Sequence, residues 1–328
     1  MLTKSLIIEF KTPYHVGWRR PEPIIDGFTV HRSLLALSSM IVPQGLEELV
    51  EKLRVSAILP AVRKQGQHEP LIPLPPIPSK MGAKKAGLEW ATLRATSTLA
   101  GKTSLGGHVI LEGVERGKAV FKLASSSTTF ELCVENGVLK ECDEDIEPLA
   151  SSPLERFEAV FNRVDRVTGS ADLFKVSGYR PRGDMMVVIQ SASSDLLRTA
   201  EDLLRLLGVV GVGGLRSRGF GKFVVKGEAG LDTKRFGGDP CAGPNVMLGS
   251  YLLDDSLVDL GKSYVITRLL AGYSGPTQDT HILPYLSIAG AGSILYFKSS
   301  LKHLVRRVET ASHSSLLVFN PVAIGCCT

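Results

Sequence analysis

Gly208–Lys226 reads GVVGVGGLRSRGFGKFVVK. Six glycines lie between Gly208 and Gly221, Arg216, Ser217 and Arg218 are set among them, and Lys222 and Lys226 follow without a single acid. Glycine permits positive φ and removes the Cβ atoms that would hold a ligand off the backbone. Exposed N–H groups beside arginines then make an anion trap suited to phosphate. The flanking elements decide what kind of phosphate. Upstream, Asp195–Leu207 is an amphipathic helix with Leu196, Ala200, Leu203 and Leu207 along one face, an N-cap at Ser194 or Asp195, and Gly208 as the residue that ends it. Downstream, Phe220–Lys226 reads as a strand. Dinucleotide-binding and P-loop motifs need the reverse order, strand then loop then helix, so that phosphate meets a helix N-terminus. The segment is therefore neither.

Working outward, the same half of the chain supplies the rest of a βαββαβ unit. Arg218–Val225 resembles an RRM signature with one residue inserted, but it follows a helix and so occupies the fourth-strand position. Ser5–Phe10 reads as the first strand, and a polar, aromatic loop follows with Tyr14, His15, Trp18, Arg19 and Arg20. Thr29 is placed to cap a helix carrying Leu34, Leu37 and Ile41, stopped by Pro43. Val55–Pro60 suits a second strand and Asp184–Gln190 a buried third.

Between these lie inserted sequences. Glu69–Pro78 is too proline-dense for a central strand and reads as an extended surface segment. Residues 79–107 are basic around Trp90 and suit an inserted lobe or thumb. His108–Val138 alternates like β-hairpins, and the acids of Glu141–Glu147 suit a solvated turn or a contact for something basic. Ser151–Arg182 interleaves Arg156, Arg163, Arg166, Lys175, Arg180 and Arg182 with Phe157, Phe161, Phe174 and Tyr179. Guanidinium groups that meet phosphates, beside rings that stack on bases, suit RNA. Arg163, Arg166 and Arg180 are the candidate phosphate clamps; salt bridges to Asp165 and Asp172, or a solvated face, are the plain alternative.

The expected organisation is α+β with two ferredoxin-like (RRM-like) domains. The first spans 1–228, with an inserted lobe at about 61–150 and the glycine-rich loop at 208–221. A linker follows at 229–244. The second, smaller domain spans 245–328 as a degenerate copy, strand-rich, with Ser299–Val308 as a basic helix carrying Lys302, Arg306 and Arg307.

The chain of 328 residues is 44% apolar with a net charge of +5, which permits a nucleic-acid partner without demanding one. Cys133, Cys142, Cys241, Cys326 and Cys327 have no metal-ligand spacing and read as ordinary reduced thiols of a cytoplasmic protein. No run approaches the length of a membrane span, and no cofactor motif is present.

Several motifs together resemble the RAMP superfamily of CRISPR proteins. GVGGLRSRGFGKF between a second helix and a last strand looks like that superfamily's glycine-rich loop, and LIIEFKTPYHVGW followed by TVHRSLLALSSM fits its first strand, loop and helix. VSAILPAVRKQGQHEPLIPLP, NRVDRVTGSADLF and GYSGPTQDTHILPYLSIAGAGSILYF resemble one branch, the fourth subunit of the type III-A (Csm) interference complex. The resemblance implies a non-catalytic protein that holds the 5′ handle of the crRNA. It also implies docking to the large polymerase/cyclase-like subunit and to the backbone RAMP subunit, with target RNA as a further partner. The RNA-binding residues it implies are Gly213, Gly214, Arg216, Ser217, Arg218, Gly219, Phe220, Gly221 and Lys222, together with Arg163, Arg166, Arg180, His15, Trp18 and Arg19. Lys84, Lys85 and Trp90 could touch a guide–target duplex, against the plainer reading of a solvated insert. The rival reading is a metal-independent RAMP-fold endoribonuclease that processes the crRNA precursor, with His15 or His31 moving the proton and Tyr14 as a further group.

Overall fold

The computed structural model describes residues 1–17, 21–80, 87–106, 108–147, 149, 152–164, 167–231, 239–270, 273–274, 281–282, 285–309 and 314–326. It is a mixed α+β fold. In chain order come β1 (Leu2–Phe10), α1 (Gly27–Ile41), α2 (Leu46–Lys52), β2 (Arg54–Val55), β3 (Leu59–Lys64), β4 (Gln67–Pro73), β5 (Trp90–Thr92) and α3 (Leu93–Gly106). Then follow β6 (Val109–Glu115), β7 (Lys118–Leu123), β8 (Thr129–Glu135), β9 (Val138–Lys140), β10 (Leu154–Val164), β11 (Ala171–Pro181), β12 (Met185–Ser191), α4 (Ser194–Val210) and β13 (Phe223–Glu228).

The main sheet runs β13-β1-β12-β3-β4-β5-β9-β8-β7-β6, with β2 paired to β12. Its first four strands are antiparallel neighbours in the order that a βαββαβ unit produces. α4 lies on β12 and β13 and packs against α1. β12 is buried along its whole length because sheet neighbours and helices cover it on every side. Asp26, rather than Thr29, caps α1 by accepting the Thr29 N–H at 2.9 Å. Ser193, one residue before the expected caps, caps α4 by accepting the Leu196 N–H at 3.2 Å.

Tertiary contacts overturn several sequence expectations. The proline-rich stretch is not a surface segment: β4 sits inside the sheet with Pro70, Leu71 and Ile72 buried. Pro70 closes the β3 ladder and Pro73 closes the β5 ladder, so each proline stands where pairing with that neighbour ends. Among its described residues the basic insert is packed and not solvated. Trp90, only 7% exposed, belongs to β5, and α3 buries Leu93, Ala95, Leu99 and Ala100 in the same core; Lys84 and Lys85 lie outside the described residues. The expected hairpins of 108–138 are present as the antiparallel run β6 to β9. Glu144 from the acidic turn is buried, 2.9 Å from Lys64 and accepting the Thr92 hydroxyl at 2.7 Å, so the basic contact is within the chain.

The remaining strands are β14 (Gly243–Met247), β15 (Tyr251–Leu252), β16 (Thr267–Leu270), β17 (Tyr273–Ser274), β18 (His281–Ile282), β19 (Leu286–Ala289), β20 (Ile294–Phe297), β21 (Leu304–Glu309), β22 (Ser314–Phe319) and β23 (Ala323–Gly325). Among the described residues no α-helix follows Val210. The expected basic helix is instead the strand β21, paired residue by residue with β22, and Leu304 and Val308 pack on the core formed by Tyr251, Phe297 and Phe319. Val246, Leu248, Tyr264 and Ile294 join the core of the first half. The Ala57 N–H donates to the Leu248 carbonyl at 2.7 Å, and the Val55 N–H to the Asn320 carbonyl at 3.1 Å.

The cysteines are not all reduced thiols. Antiparallel pairing of β8 and β9 brings Cys133 and Cys142 to a Cα separation of 4.9 Å, and they form a disulfide. Cys241 is also disulfide-bonded, while Cys326 is free. No helix among the described residues is long and apolar enough to cross a membrane.

Candidate nucleic-acid interface

The glycine-rich loop begins later than its sequence suggests. α4 runs through Gly208 to Val210, and Gly211, at φ +93°, caps it. Gly208 is helical, and a Cβ there would lie 2.3 Å from the Phe223 carbonyl oxygen, so only glycine lets helix and strand approach so closely. Beyond it the chain turns through Gly213 at φ +87° and Leu215 at φ +59°, makes a short 3-10 turn at Arg216–Arg218, and returns through Gly219 and Gly221 to β13.

Segment 11–16, between β1 and α1, threads between this loop and a projecting hairpin. On one side the Gly214 N–H donates to the His15 carbonyl at 2.8 Å, and the Gly221 N–H to the Pro13 carbonyl at 2.8 Å. On the other, Tyr14 and Tyr179 exchange two backbone hydrogen bonds of 2.9 Å. Cβ atoms would lie 2.5 Å from the His15 oxygen at Gly213, 2.0 Å from the Val212 oxygen at Gly221 and 2.2 Å from the Tyr14 oxygen at Gly178. These glycines bring the chain against itself. That differs from the sequence reading, in which they bring the backbone to a ligand.

The hairpin is β10 and β11, a two-stranded sheet apart from the main one with eleven residues in each strand. Its register sets Phe157, Ala159 and Phe161 opposite Gly178, Val176 and Phe174 on one face. Phe220 of the loop, 6% exposed, packs against that face with ring centroids 6.0 Å from Phe157 and 6.1 Å from Phe161. Its ring is therefore covered by protein and is not a surface for a base. Arg180 lies over Phe157 at 5.4 Å, and Arg218 over Phe174 and Phe161 at 4.7 and 5.2 Å.

Arg216, Ser217, Arg218, Lys222 and Arg180 are exposed around this junction. Among the described residues none of the four cations has an acid within ion-pair distance. Most other exposed cations are paired, for example Lys80 with Glu112, Arg94 with Asp143, Lys118 with Glu131 and Lys226 with Asp184, although Arg116, Lys175, Arg198, Lys302 and Arg306 also have no acid within ion-pair distance among the described residues. Val210, Gly213, Gly214, Leu215, Arg216 and Ser217 line an open depression of about 580 Å³ beside them. Arg163 lies on β10 opposite Asp172. Arg166, Trp18 and Arg19 lie outside the described residues.

The two histidines differ. His15 is half-buried, and its Nδ1 donates to the Ser177 carbonyl at 2.6 Å, with the other edge of the ring beside Gly214. His31 is 2% exposed, bonded through Nε2 to the Leu49 carbonyl at 3.0 Å, and its pKa is pushed down to about 4 by burial. It clamps α1 to α2 and has no access to a substrate. Burial likewise pushes the Tyr14 phenol up, and its hydroxyl donates to the Pro23 carbonyl, so it is no proton acceptor at neutral pH.

Sequence reading missed Gly178, Val210 and Leu215 as parts of this junction. A lone glycine inside the strand-forming KVSGYR was the available signal for a close backbone approach; Val210 and Leu215 carried none.

One chain of the crystal structure of a Csm3-Csm4 subcomplex in the type III-A CRISPR-Cas interference complex superposes with a TM-score of 0.54 at 13% identity, covering 98% of this chain and 100% of that one. The two chains share a fold. Two cryo-EM structures of a type III-B Cmr-beta assembly bound to cognate target RNA, one also with AMPPnP, match at TM-scores of 0.48 and 0.46 and 11% and 12% identity. They cover 90% and 89% of this chain and 86% of each matched chain, and at those scores carry no argument. No family model and no curated protein matches the sequence.

Proposed function

We propose that the chain is a non-catalytic RNA-binding subunit of a type III-A (Csm) CRISPR effector complex. It holds the 5′ repeat-derived handle of the crRNA in antiviral defence and docks the large polymerase/cyclase-like subunit and the backbone RAMP subunit, with target RNA passing nearby. The order β13-β1-β12-β3 is read as its first ferredoxin-like domain, and the strand-rich second half as a degenerate copy. The observation that carries the reading is that Arg180, Arg216 and Lys222 are exposed without a carboxylate partner among the described residues, with Arg216 lining an open depression. Cations left unpaired on a surface where most others are paired suit a polyanion. The fold shared with the type III-A chain supports the choice of RNA over other polyanions.

Titration against labelled handle RNA tests this. Arg216→Ala is expected to weaken binding by about 1.5–3 kcal/mol, the range for a lost charge-assisted hydrogen bond. Unchanged affinity in both Arg216→Ala and Lys222→Ala would sink the assignment. The nuclease alternative now rests on His15 alone, since His31 is buried and Tyr14 is committed to Pro23. Specific cleavage of repeat RNA in EDTA, lost on His15→Ala, would replace the binding reading with that one.

A further inference from the structure

Arg218 reads in sequence as one more cation for phosphate, yet its guanidinium lies over two phenyl rings of the hairpin, Phe174 at 4.7 Å and Phe161 at 5.2 Å. Those residues face each other across the ladder, with ring centroids 6.0 Å apart. Two residues on, Phe220 is buried against Phe157 and Phe161. Two loop side chains thus grip one face of the hairpin. Among the described residues no backbone hydrogen bond joins Gly211–Lys222 to β10 or β11; the hairpin's main-chain ties are at its base, through Tyr14 and Tyr179 and from the Arg182 N–H to the Pro153 carbonyl. Among the described residues the strands of its outer half pair only with each other. A lone two-stranded ribbon is marginally stable in water. Its placement must come from side chains, and a cation over ring faces is attracted by their quadrupoles.

We propose that Arg218 is a positioning residue. It pins the outer half of the hairpin, with its exposed cation Lys175, to the glycine-rich loop, and so sets where that half stands relative to Arg216 and Lys222, without holding a phosphate itself. The inference rests on the RNA reading only for its binding readout; the pin itself is measured in the free chain.

The test joins hydrogen exchange to salt-dependent binding. In the free protein, Arg218→Met and Phe174→Leu should each speed exchange of the amides at 160–162 and 173–175 about five- to tenfold, as for loss of cation–π contacts. The double variant should exchange no faster than the faster single one, and amides of β1 and β12 should keep the parent rates. Arg218→Lys, which keeps a cation over the rings, should restore part of the protection. With handle RNA, Arg216→Ala should lower the slope of log K against log salt by about 0.7, the value for one phosphate contact on a single strand. Arg218→Met should weaken binding severalfold with the slope unchanged. Unchanged hairpin protection in Arg218→Met, or a slope that falls as in Arg216→Ala, overturns the proposal. If Arg216→Ala and Lys222→Ala both bind RNA as the parent does, the RNA reading falls, and the exchange comparison alone decides the pin.

Discussion

The glycine-rich segment contains two regions built from the same residue type and used in opposite ways. At Gly213 and Gly221 a Cβ would collide with the backbone oxygens of His15 and Val212, whereas at Gly219 nothing lies within 4 Å. The first region is scaffold, where glycine lets the loop, segment 11–16 and β13 close on one another. The second is a surface tip, where glycine only turns the chain between Arg218 and Phe220. A dense run of glycines therefore marks close packing of the chain on itself, and the ligand chemistry belongs to the cations between them.

The largest expected effect tests the scaffold. Gly221→Ala meets both φ +72° and a backbone oxygen 2.0 Å from its new Cβ. It should lower the free energy of unfolding by about 4 kcal/mol in urea titrations, the range of a core-disrupting substitution. Next comes pH. His31 is held neutral in the fold with its pKa pushed down to about 4, below the usual 6.5. Its contribution to stability is therefore complete above pH 6.5 and lost as the pH falls through 4, in total about 3 kcal/mol. A pH series of unfolding midpoints should show this loss and should flatten in His31→Gln. At the tip the effect moves from stability to binding: Arg216→Ala costs about 1.5–3 kcal/mol of RNA affinity while unfolding changes by less than about 0.5 kcal/mol. The smallest effect belongs to Gly219→Ala, about 1 kcal/mol of stability for alanine at positive φ in open space. A loss as large as that of Gly221→Ala would erase the distinction between the two regions.

Much of the first half was legible in sequence. The hydrophobic face of α4, the buried run of β12 and the strand after the glycines each follow from local pattern, and their order predicts the observed neighbours of β1. What was illegible depended on distant partners. β4 is tolerated inside the sheet because its prolines fall at the ends of two ladders, a fact of register and not of composition. β21 has basic residues at helix-like spacing, but pairing with β22 and partial burial of Leu304 and Val308 against the core outweigh that preference. The Cys133–Cys142 bond likewise depends on a strand pairing that spacing alone did not announce.

For the candidate interface, sequence determined the chemistry on offer. Arginine, lysine and serine without acids on a glycine-rich turn are an anion-seeking set wherever the chain puts them. Only the tertiary structure decided the division of labour. Whether a glycine faces a ligand or another strand depends on which backbone passes within 3 Å of it. Whether an arginine reaches outward or lies on a ring depends on what packs beneath it. Gly213 and Gly221 proved to be joints, Phe220 a buried anchor and Arg218 a side chain laid across Phe161 and Phe174. Arg216, Ser217 and Lys222 are the polar side chains of the loop that stay exposed with no protein partner among the described residues, while Arg218 and Phe220 are spent on the hairpin.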